Sequence, residues 1–392
     1  MSRKNGYSAH ILRIFEPIST INRLTMYNWE HKNWPTFKYN LDGLEDKLLE
    51  INATVNHVVG AVSSLPDELQ TETIVQVMVA EALKTSEIEG EFFSRIDVMS
   101  SIKKNLGLAT DTFPSNKNTI GLGKMLMDIR NTFNEPLTEN KLLQWHALLM
   151  SNNKKINAGV YRTGQEPMQI ISGSVSDPTI HFEGPPSSRV PDEMTQFIAW
   201  FNQEKLNEKD WRLNAPPVKA AIAHVYFESI HPFEDGNGRI GRAIAEKTLS
   251  KGFGRPLFLS LSKTIEKYRK EYYNELKEAQ HKLDITQWIN WFVNIVSKAQ
   301  SETNQLVTFI IKKMQFFDRF KKQFNERQTK VINRMLEEGP DSFEGGINAK
   351  KYMSITSCSK ATATRDLQDL KEVGAIDQIS GAGRSTRYSL NL

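Results

Sequence analysis

The sequence predicts a mainly α-helical protein with a small β-hairpin flap and a C-terminal winged-helix module of α+β character. Three observations predict it. Apolar residues recur at helical spacing over Leu44–Leu65, Glu68–Lys84, Glu139–Ser151, Asp192–Asn207 and Thr286–Phe309. That period stops between Tyr161 and Pro191, where Gly164, Pro167, Gly173, Pro178, Gly184, Pro185 and Pro186 punctuate two β-prone pieces, Met168–Ile171 and Thr179–Phe182. Beyond Asn325 a short helical pattern at Gln328–Glu338 and a Gly-rich turn precede MSITSCSKATATRDLQDLKEVGAIDQISGAGRSTRYSLNL, which reads as helix, turn, helix and β-wing.

At 392 residues the chain exceeds what one small hydrophobic core organises, which favours two or three domains. Lys plus Arg number 50 against 46 Asp plus Glu, a formal net charge of +4 with both signs spread along the chain, too mild to imply nucleic acid on its own. Cys358 is the single cysteine, which excludes an intrachain disulfide framework and a CxxC metal site and fits a reducing compartment, with the cytoplasm as the default. No run of about 18 apolar residues appears, and the start lacks a signal peptide's apolar stretch and cleavage site. A soluble intracellular protein without membrane contact is expected. Within residues 1–60, Tyr27, Trp29, Trp34, Pro35, Phe37 and Tyr39 cluster around one proline, which suits a packed appendage better than a linker.

The densest chemistry lies in His231–Arg242, HPFEDGNGRIGR. Val218, Ala221, Ile222, Val225, Tyr226 and Ile230 form a helical stripe before it, so a buried helix delivers His231 to a loop that Pro232 restricts and Phe233 anchors. Gly236 and Gly238 let the backbone approach a ligand closely, and successive N–H groups there can form an anion nest before a helix N-terminus. Arg239 and Arg242 then lie on that helix's first turns, where cations oppose the helix dipole. The placement makes sense if an anion with several charges, such as a triphosphate, sits over both. Asp235 would repel that anion unless a divalent cation such as Mg²⁺ bridged them. His231, with an ordinary pKa near neutrality, is the candidate general base.

These residues resemble the Fic signature, HPFx[D/E]GNGRxxR, without a departure at any defining position. The resemblance implies a Fic helical core over 61–298 with its flap, an inhibitory helix at about 68–90 and a catalytic loop at 231–242. It implies a nucleotidyltransferase, a protein adenylyltransferase that moves AMP from ATP to a Ser, Thr or Tyr hydroxyl of a target protein, itself included, with release of pyrophosphate. By that resemblance His231 deprotonates the hydroxyl and Asp235 holds Mg²⁺, with Mn²⁺ an alternative. Gly236, Asn237, Gly238, Ile240 and Gly241 belong to the phosphate-binding segment, and Arg239 and Arg242 take the β- and γ-phosphates. The upstream stretch TSEIEGE resembles the family's inhibitory motif, [S/T]xxxE[G/N], through Thr85, Glu89 and Gly90. A glutamate reaching Arg242 would take the place of the γ-phosphate and leave ATP misplaced for in-line attack.

GVYRTGQEPMQIISG and IHFEGPPSSRVPDEM resemble the family's flap, which pairs with a target strand, and Ile171, Ser172 and Gly173 would lie nearest the ATP. In RKEYYNELKEAQ, Tyr272 and Gln280 stand where the family contacts the nucleoside, although Tyr272 equally suits helix packing and the family often has Asn where Gln280 stands. NWEHKNWPTFKYN is similar to the Trp- and Pro-rich domain of a bacterial Fic subgroup that commonly carries a C-terminal winged helix.

The remaining segments are a helical connector at 299–325 and the winged helix at 326–392. There SKATATRDLQDL reads as a recognition helix, with Ser359 as N-cap, Ala363, Leu367 and Leu370 inward and Lys360 and Arg365 outward, and Arg384 and Arg387 on the wing can meet phosphates. Two other functions stay open: a DNA-binding regulator whose core senses nucleotide, and a de-AMPylating enzyme in which Glu89 positions a water. Self-association as a homodimer is open too.

Overall fold

The computed structural model describes residues 26–108, 117–174, 177–204, 209–320, 323–337, 343, 345–380 and 386–392. The chain divides into two compact units, one made of the described part of 1–59 with Thr71–Gln300, the other of Gly60–Gln70 with Ser301–Leu392.

After a short 3₁₀ turn at Asn28–Glu30 come helices α1 (Glu45–Ser63), α2 (Asp67–Ile88), α3 (Arg95–Asn105), α4 (Lys117–Asn131) and α5 (Glu139–Met150). An antiparallel hairpin, β1 (Gln169–Ser174) with β2 (Asp177–Glu183), interrupts them. Then follow α6 (Val190–Phe201), α7 (Trp211–Asn214), α8 (Pro216–Ile230), α9 (Asn237–Gly252), α10 (Leu261–Lys267), α11 (Arg269–Ala279) and the long α12 (Thr286–Arg319). Local chemistry fixes many of the boundaries. Thr138 and Ser260 cap α5 and α10 by accepting from the backbone N–H three residues on, and prolines begin α8, where a missing N–H costs nothing.

The first unit is organised around α8. One cluster joins its Val218, Ala221, Ile222 and Val225 to Leu48 and Ile51 of α1, Leu249 of α9 and Trp288, Phe292 and Val296 of α12. A second joins its Ala223, Tyr226, Phe227 and Ile230 to Val79 of α2, Met125 of α4, Trp145 of α5, Phe197 of α6 and Ile244 of α9. The expected stripe is therefore a helix apolar around most of its circumference, as a helix between two cores must be.

Three sequence expectations change. The helix expected over Asp192–Asn207 starts earlier, at Val190, and stops at Phe201. Asn202 leaves the helix to clamp Leu137, its Oδ1 accepting from Leu137 N at 2.9 Å and its Nδ2 donating to Leu137 O at 2.7 Å; residues 205–208 lie outside the described residues. The helix expected to end at Phe309 continues to Arg319, because its apolar side continues through Ile310 and Phe316. The aromatic segment expected as an appendage packs into the first unit: Trp34 donates Nε1 to Glu193 Oε2 at 2.8 Å and meets Tyr226 edge-on at 5.2 Å. Asn28 reaches α8 and α11, donating Nδ2 to Ser229 Oγ at 2.8 Å and its backbone N–H to Gln280 O at 2.7 Å.

In the second unit, α13 (Glu326–Leu336), α14 (Ala349–Thr356) and α15 (Lys360–Glu372) precede an antiparallel pair, β3 (Ile376–Ser380) and β4 (Arg387–Leu390). Phe316 and Phe320 join Val331, Ile332, Tyr352, Ala363, Leu367 and Leu370 in its core. Asp366 is buried there and accepts from Arg327 Nε at 2.8 Å, Tyr352 Oη at 2.9 Å and Asn325 Nδ2 at 3.3 Å. Ser359 caps α15 by accepting from Thr362 N, and Arg387 lies on β4. Arg384 and the turn at 381–385 lie outside the described residues. Among the described residues no helix is long and apolar enough to cross a membrane.

Trp288 is 1% exposed and donates Nε1 to the Ala221 carbonyl at 2.8 Å. Trp288→Ala leaves a cavity and an unpaired carbonyl, and is expected to destabilise the first unit by about 3–5 kcal/mol, read from its urea midpoint.

Candidate active site

Helix α8 ends at His231, whose backbone is left-handed at φ 50° and ψ 61°, a conformation uncommon outside glycine. Arg162 holds it there. Its Nε donates to His231 O at 2.8 Å, its Nη2 to Pro185 O at 2.6 Å and Ile230 O at 3.3 Å, its Nη1 to Ser187 Oγ at 2.9 Å, and its backbone N–H to Pro232 O at 2.9 Å. Phe233 is fully buried and stacks on His146 at 4.1 Å, and His146 Nδ1 in turn accepts from Gly159 N at 3.0 Å. Asn237 closes the loop, its Oδ1 accepting from Phe233 N at 3.0 Å and its Nδ2 donating to Phe233 O at 2.9 Å. Gly236 turns the chain into α9 at φ 82°, where a β-carbon would lie 2.6 Å from Met150 Cε.

No side chain caps the N-terminus of α9, and its first backbone bond runs from Ile240 N to Gly236 O at 3.1 Å. The N–H groups of the first turn are therefore left for an anion. The end of α2 faces them. Gly90, at φ 82°, terminates α2 with Gly90 N donating to Glu87 O and Glu91 N to Ser86 O, the double bond of a Schellman end. Glu89 and Glu91 flank that glycine. Glu89 Oε1 accepts from Arg242 Nη2 at 2.8 Å and lies 2.2 Å from where a β-carbon of Gly238 would be. Thr85 accepts from the same guanidinium twice, through Oγ1 from Nε and through its carbonyl from Nη2, both at 2.9 Å. Glu91 Oε2 accepts from Arg239 Nη1 at 2.7 Å, and Asp235 Oδ1 lies 3.7 Å from Arg239 Nη2. Arg242 Nη1 and Arg239 Nε are buried with no hydrogen-bond partner among the described residues, so both cations keep unused donors.

Residues 136–249 match the model of the Fic/DOC family. The match includes the His231–Arg242 loop and helix start. Residues 27–108 match the model of a domain of unknown function (DUF4172). The chain is similar to "Protein adenylyltransferase Fic" of Nematostella vectensis, 24% identical over 244 residues, 62% of this chain and 49% of that protein. "Protein adenylyltransferase fic-1" of Caenorhabditis elegans is 23% identical over 230 residues, 56% of this chain and 42% of that protein. "Probable protein adenylyltransferase aq_aa38" of Aquifex aeolicus is 31% identical over 99 residues, 25% and 27% of the two chains. The chain thus spans about half or less of the length of these curated relatives. Among solved structures, a Fic family protein from Desulfovibrio desulfuricans superposes with a TM-score of 0.52 at 21% identity, covering 91% of this chain and 98% of that one. A Fic domain containing signaling protein from Bacteroides thetaiotaomicron gives 0.51 at 18% identity over 68% and 97%. The shared fold follows from both.

Within the matched stretch the structure brings His231, Asp235, Gly236, Gly238, Arg239 and Arg242 to one loop and helix start, and sets Thr85, Glu89 and Gly90 against them. Other assignments change. The Asn237 side chain is spent on Phe233, which leaves only its backbone to meet a phosphate. Ile240 is fully buried in the core, and a β-carbon on buried Gly241 would lie 2.3 Å from Glu228 Oε1. Tyr272 is 1% exposed with its hydroxyl 2.9 Å from His224 Nε2, and Gln280 is buried with Nε2 donating to Glu228 O at 3.0 Å. Both are engaged in internal contacts in this conformation rather than presented for nucleoside contact. Ile171 is buried and paired with Ile180, and Ser172 and Gly173 pair through the backbone with Thr179 and Pro178. Arg162, His146, Glu91 and Glu228 carry the site yet drew no notice in the sequence, although Arg162 stands in the flap-like stretch GVYRTG.

Burial and then the Arg162 cation lower the His231 imidazole to about 3, so it does not titrate near neutrality as expected and is neutral there. Burial, with the Glu89 charge adding to it, pushes the Glu228 carboxyl up to about 8. Burial pulls the Arg242 cation down, but Glu89 and the phenols of Tyr272 and Tyr273 outweigh it, so the net direction is upward. Burial also lowers His146 to about 4 and His224 to about 3.

These directions set the dependence of stability on pH. Glu228 takes its proton more readily folded than unfolded, so its contribution is full below the ordinary 4.5 and is lost as pH rises through about 8. The three imidazoles resist protonation when folded, so theirs is full above 6.5 and is lost as pH falls toward about 3 to 4. Above 6.5 the imidazole contribution is complete; Glu246, raised by burial and Glu81, adds to the carboxyl decline, while Lys219 and Lys247, lowered by burial to about 8, begin to offset it as pH nears 8. The Tm is expected to decline from pH 6.5 to 8, and Glu228→Gln to flatten that decline in differential scanning fluorimetry.

Proposed function

We propose that the chain transfers AMP from ATP to a Ser, Thr or Tyr hydroxyl of a protein and that Glu89 restrains the transfer. The observation that carries this reading is the Glu89–Arg242 ion pair over the uncapped start of α9: a carboxylate stands where an anion would meet Gly238, Arg242 and the free helical N–H groups. The relatives' names, protein adenylyltransferase, supply the chemistry.

In this reading His231, neutral near pH 7, accepts the target hydroxyl's proton. The oxygen attacks the α-phosphorus, the bond to the β-phosphate's bridging oxygen breaks, and pyrophosphate leaves over Arg239 and Arg242. Asp235 suits a divalent cation. Its carboxylate is 37% exposed beside the α9 start, and no group of three metal-ligating side chains occurs among the described residues, so one carboxylate shared with substrate phosphates is the arrangement available. Mg²⁺, or Mn²⁺ on the same donors, would neutralise phosphate charge there.

Glu91 adds a second contact. While Glu89 holds Arg242 and Glu91 holds Arg239, both cations that would take the β- and γ-phosphates are already paired. The C-terminal unit's order of helices and paired strands suits a winged helix. Its exposed α15 surface sets Asp369 and Glu372 beside Lys360 and Arg365, a mixture that favours a protein partner over DNA.

With labelled ATP and cell lysate, His231→Ala is expected to lower AMP transfer, self-modification included, by roughly 10²- to 10⁴-fold. Unchanged labelling would overturn the mechanism. Glu89→Gly is expected to raise transfer at least about tenfold, the equivalent of ~1.4 kcal/mol of lost competition. Glu91→Ala should raise it less, because that carboxylate is 39% exposed and solvent screens its pairing.

A further inference from the structure

A second acid lies behind the histidine. Glu228 sits one helical turn before His231 on α8 and is 3% exposed, with Oε2 3.7 Å from His231 Nδ1. Among the described residues neither His231 Nδ1 nor Glu228 Oε1 has a hydrogen-bond partner. Buried polar groups are nearly always satisfied, so an unpaired imidazole nitrogen 3.7 Å from one oxygen of a buried carboxyl, whose other oxygen is unpaired beside Gly241, calls for a reason. The Glu228 carbonyl also stands near the ring and accepts from Gln280 Nε2 at 3.0 Å, which leaves it one further lone pair.

We propose that Glu228 is a positioning residue for the transfer reaction, its carboxylate accepting Nδ1–H of His231 so that Nε2 presents its lone pair to the target hydroxyl. The inference rests on the adenylyltransferase reading above. A histidine works as a base through one nitrogen only when the other carries the proton and is held. Arg162 fixes the backbone of His231 through the carbonyl but contacts no ring atom, and its cation disfavours the imidazolium that proton transfer creates. Glu228, when ionised, supplies the opposite charge. The accounting closes without a co-reactant: the hydroxyl O–H bond breaks, Nε2–H forms, the oxygen bonds to the α-phosphorus and pyrophosphate departs, while the Nδ1 proton stays on the ring.

The charge on Glu228 responds to its neighbours. His224 and His231 face it from its own helix, Arg242 from α9, Glu89 from α2 and Tyr272 from α11. Glu89 favours the protonated carboxyl, and Arg242, the ionised one. A protonated carboxyl donating to Nδ1 would leave the proton on Nε2, the tautomer that cannot act as base toward the target. Burial is the larger cause of the raised value of about 8, so withdrawal of Glu89 removes only the added part and moves the carboxyl toward the ionised form that the competent tautomer needs.

The test uses the full chain carrying Glu89→Gly, with Glu228→Ala or Glu228→Gln added. Glu228→Ala is expected to lower kcat for AMP transfer at least about tenfold, a fraction of what a general base provides. KM for ATP should change less than about twofold, since the Glu228 carboxyl packs beside Gly241 without an ion pair to Arg239 or Arg242. Glu228→Gln keeps an acceptor without the charge, so it should recover part of kcat while shifting the pH profile of kcat. If both variants keep the parent's kcat and pH profile, or if only KM changes, the proposal fails. Should the alanine variant not fold, the nearly isosteric glutamine carries the same pH test. Ring ¹⁵N shifts of His231 read the contact independently of activity, with the Nδ1–H tautomer expected in the Glu89→Gly chain and lost in Glu228→Ala. A parent chain that transfers no AMP would overturn the adenylyltransferase reading alone; an unchanged tautomer on removing Glu228 would overturn this one.

Discussion

The left-handed turn at His231 is the constraint on which the site depends, and Arg162 is what maintains it. A non-glycine residue in this region costs of order 1–3 kcal/mol, and surroundings must hold it there. Here one buried guanidinium binds the carbonyls of Ile230, His231 and Pro185 together with a serine hydroxyl, and its own backbone N–H holds Pro232. It makes these bonds to neutral acceptors only, so burial lowers its pKa to about 10 without threatening its charge at neutral pH. Everything downstream inherits that geometry. Phe233 drops into the core, Asn237 closes the loop across it, and α9 begins with its free N–H groups aimed where the loop leaves space.

Such a turn requires a rigid support, and α8 provides it by lying between two apolar clusters. The aromatic N-terminal segment belongs to this support. Asn28 ties to Ser229 in the last turn of α8 and to Gln280 beyond α11, while Trp34 packs edge-on against Tyr226. Tyr27 meets Phe182 of the hairpin edge-on at 5.2 Å, so one short segment braces both the helix that delivers His231 and the flap beside it.

What could be read from the chain divides along physical lines. Helical periodicity and turn residues report on neighbours close in sequence, so the long helices, the hairpin and the helix ends near Gly90 and Ser359 were legible. So was the chemistry compressed into twelve residues from His231 to Arg242. Contacts across long separations were not. Arg162 lies 69 residues from the carbonyl it holds, and Glu91 is 148 residues from Arg239, and no local pattern marks either pairing. Asn237 entered the phosphate-binding segment through the resemblance, and only the folded chain shows that its side-chain donor and acceptor meet the Phe233 backbone. The basicity of His231 was misjudged for a related reason: its ordinary value assumes water, and the fold removes it. Glu228 passed as one polar residue in a buried helix, since only the folded chain shows that its carboxyl and the imidazole face each other unpaired.

The Schellman end of α2 has a mechanical meaning. Thr85 on the last turns of α2 and Glu89 and Glu91 in the Schellman end that follows reach the two arginines from within seven residues, so they sit on one hydrogen-bonded helix end rather than on three independent segments. Under the restraint proposed above, its strength depends on the helix–coil equilibrium of that end, which terminates at Gly90 in a conformation only glycine adopts at little cost. Whatever frays this turn by a few residues exposes the whole cationic start of α9 at once. In that reading the end of α2 is a fuse, with its threshold set by the backbone of α2 rather than by the residues that touch substrate.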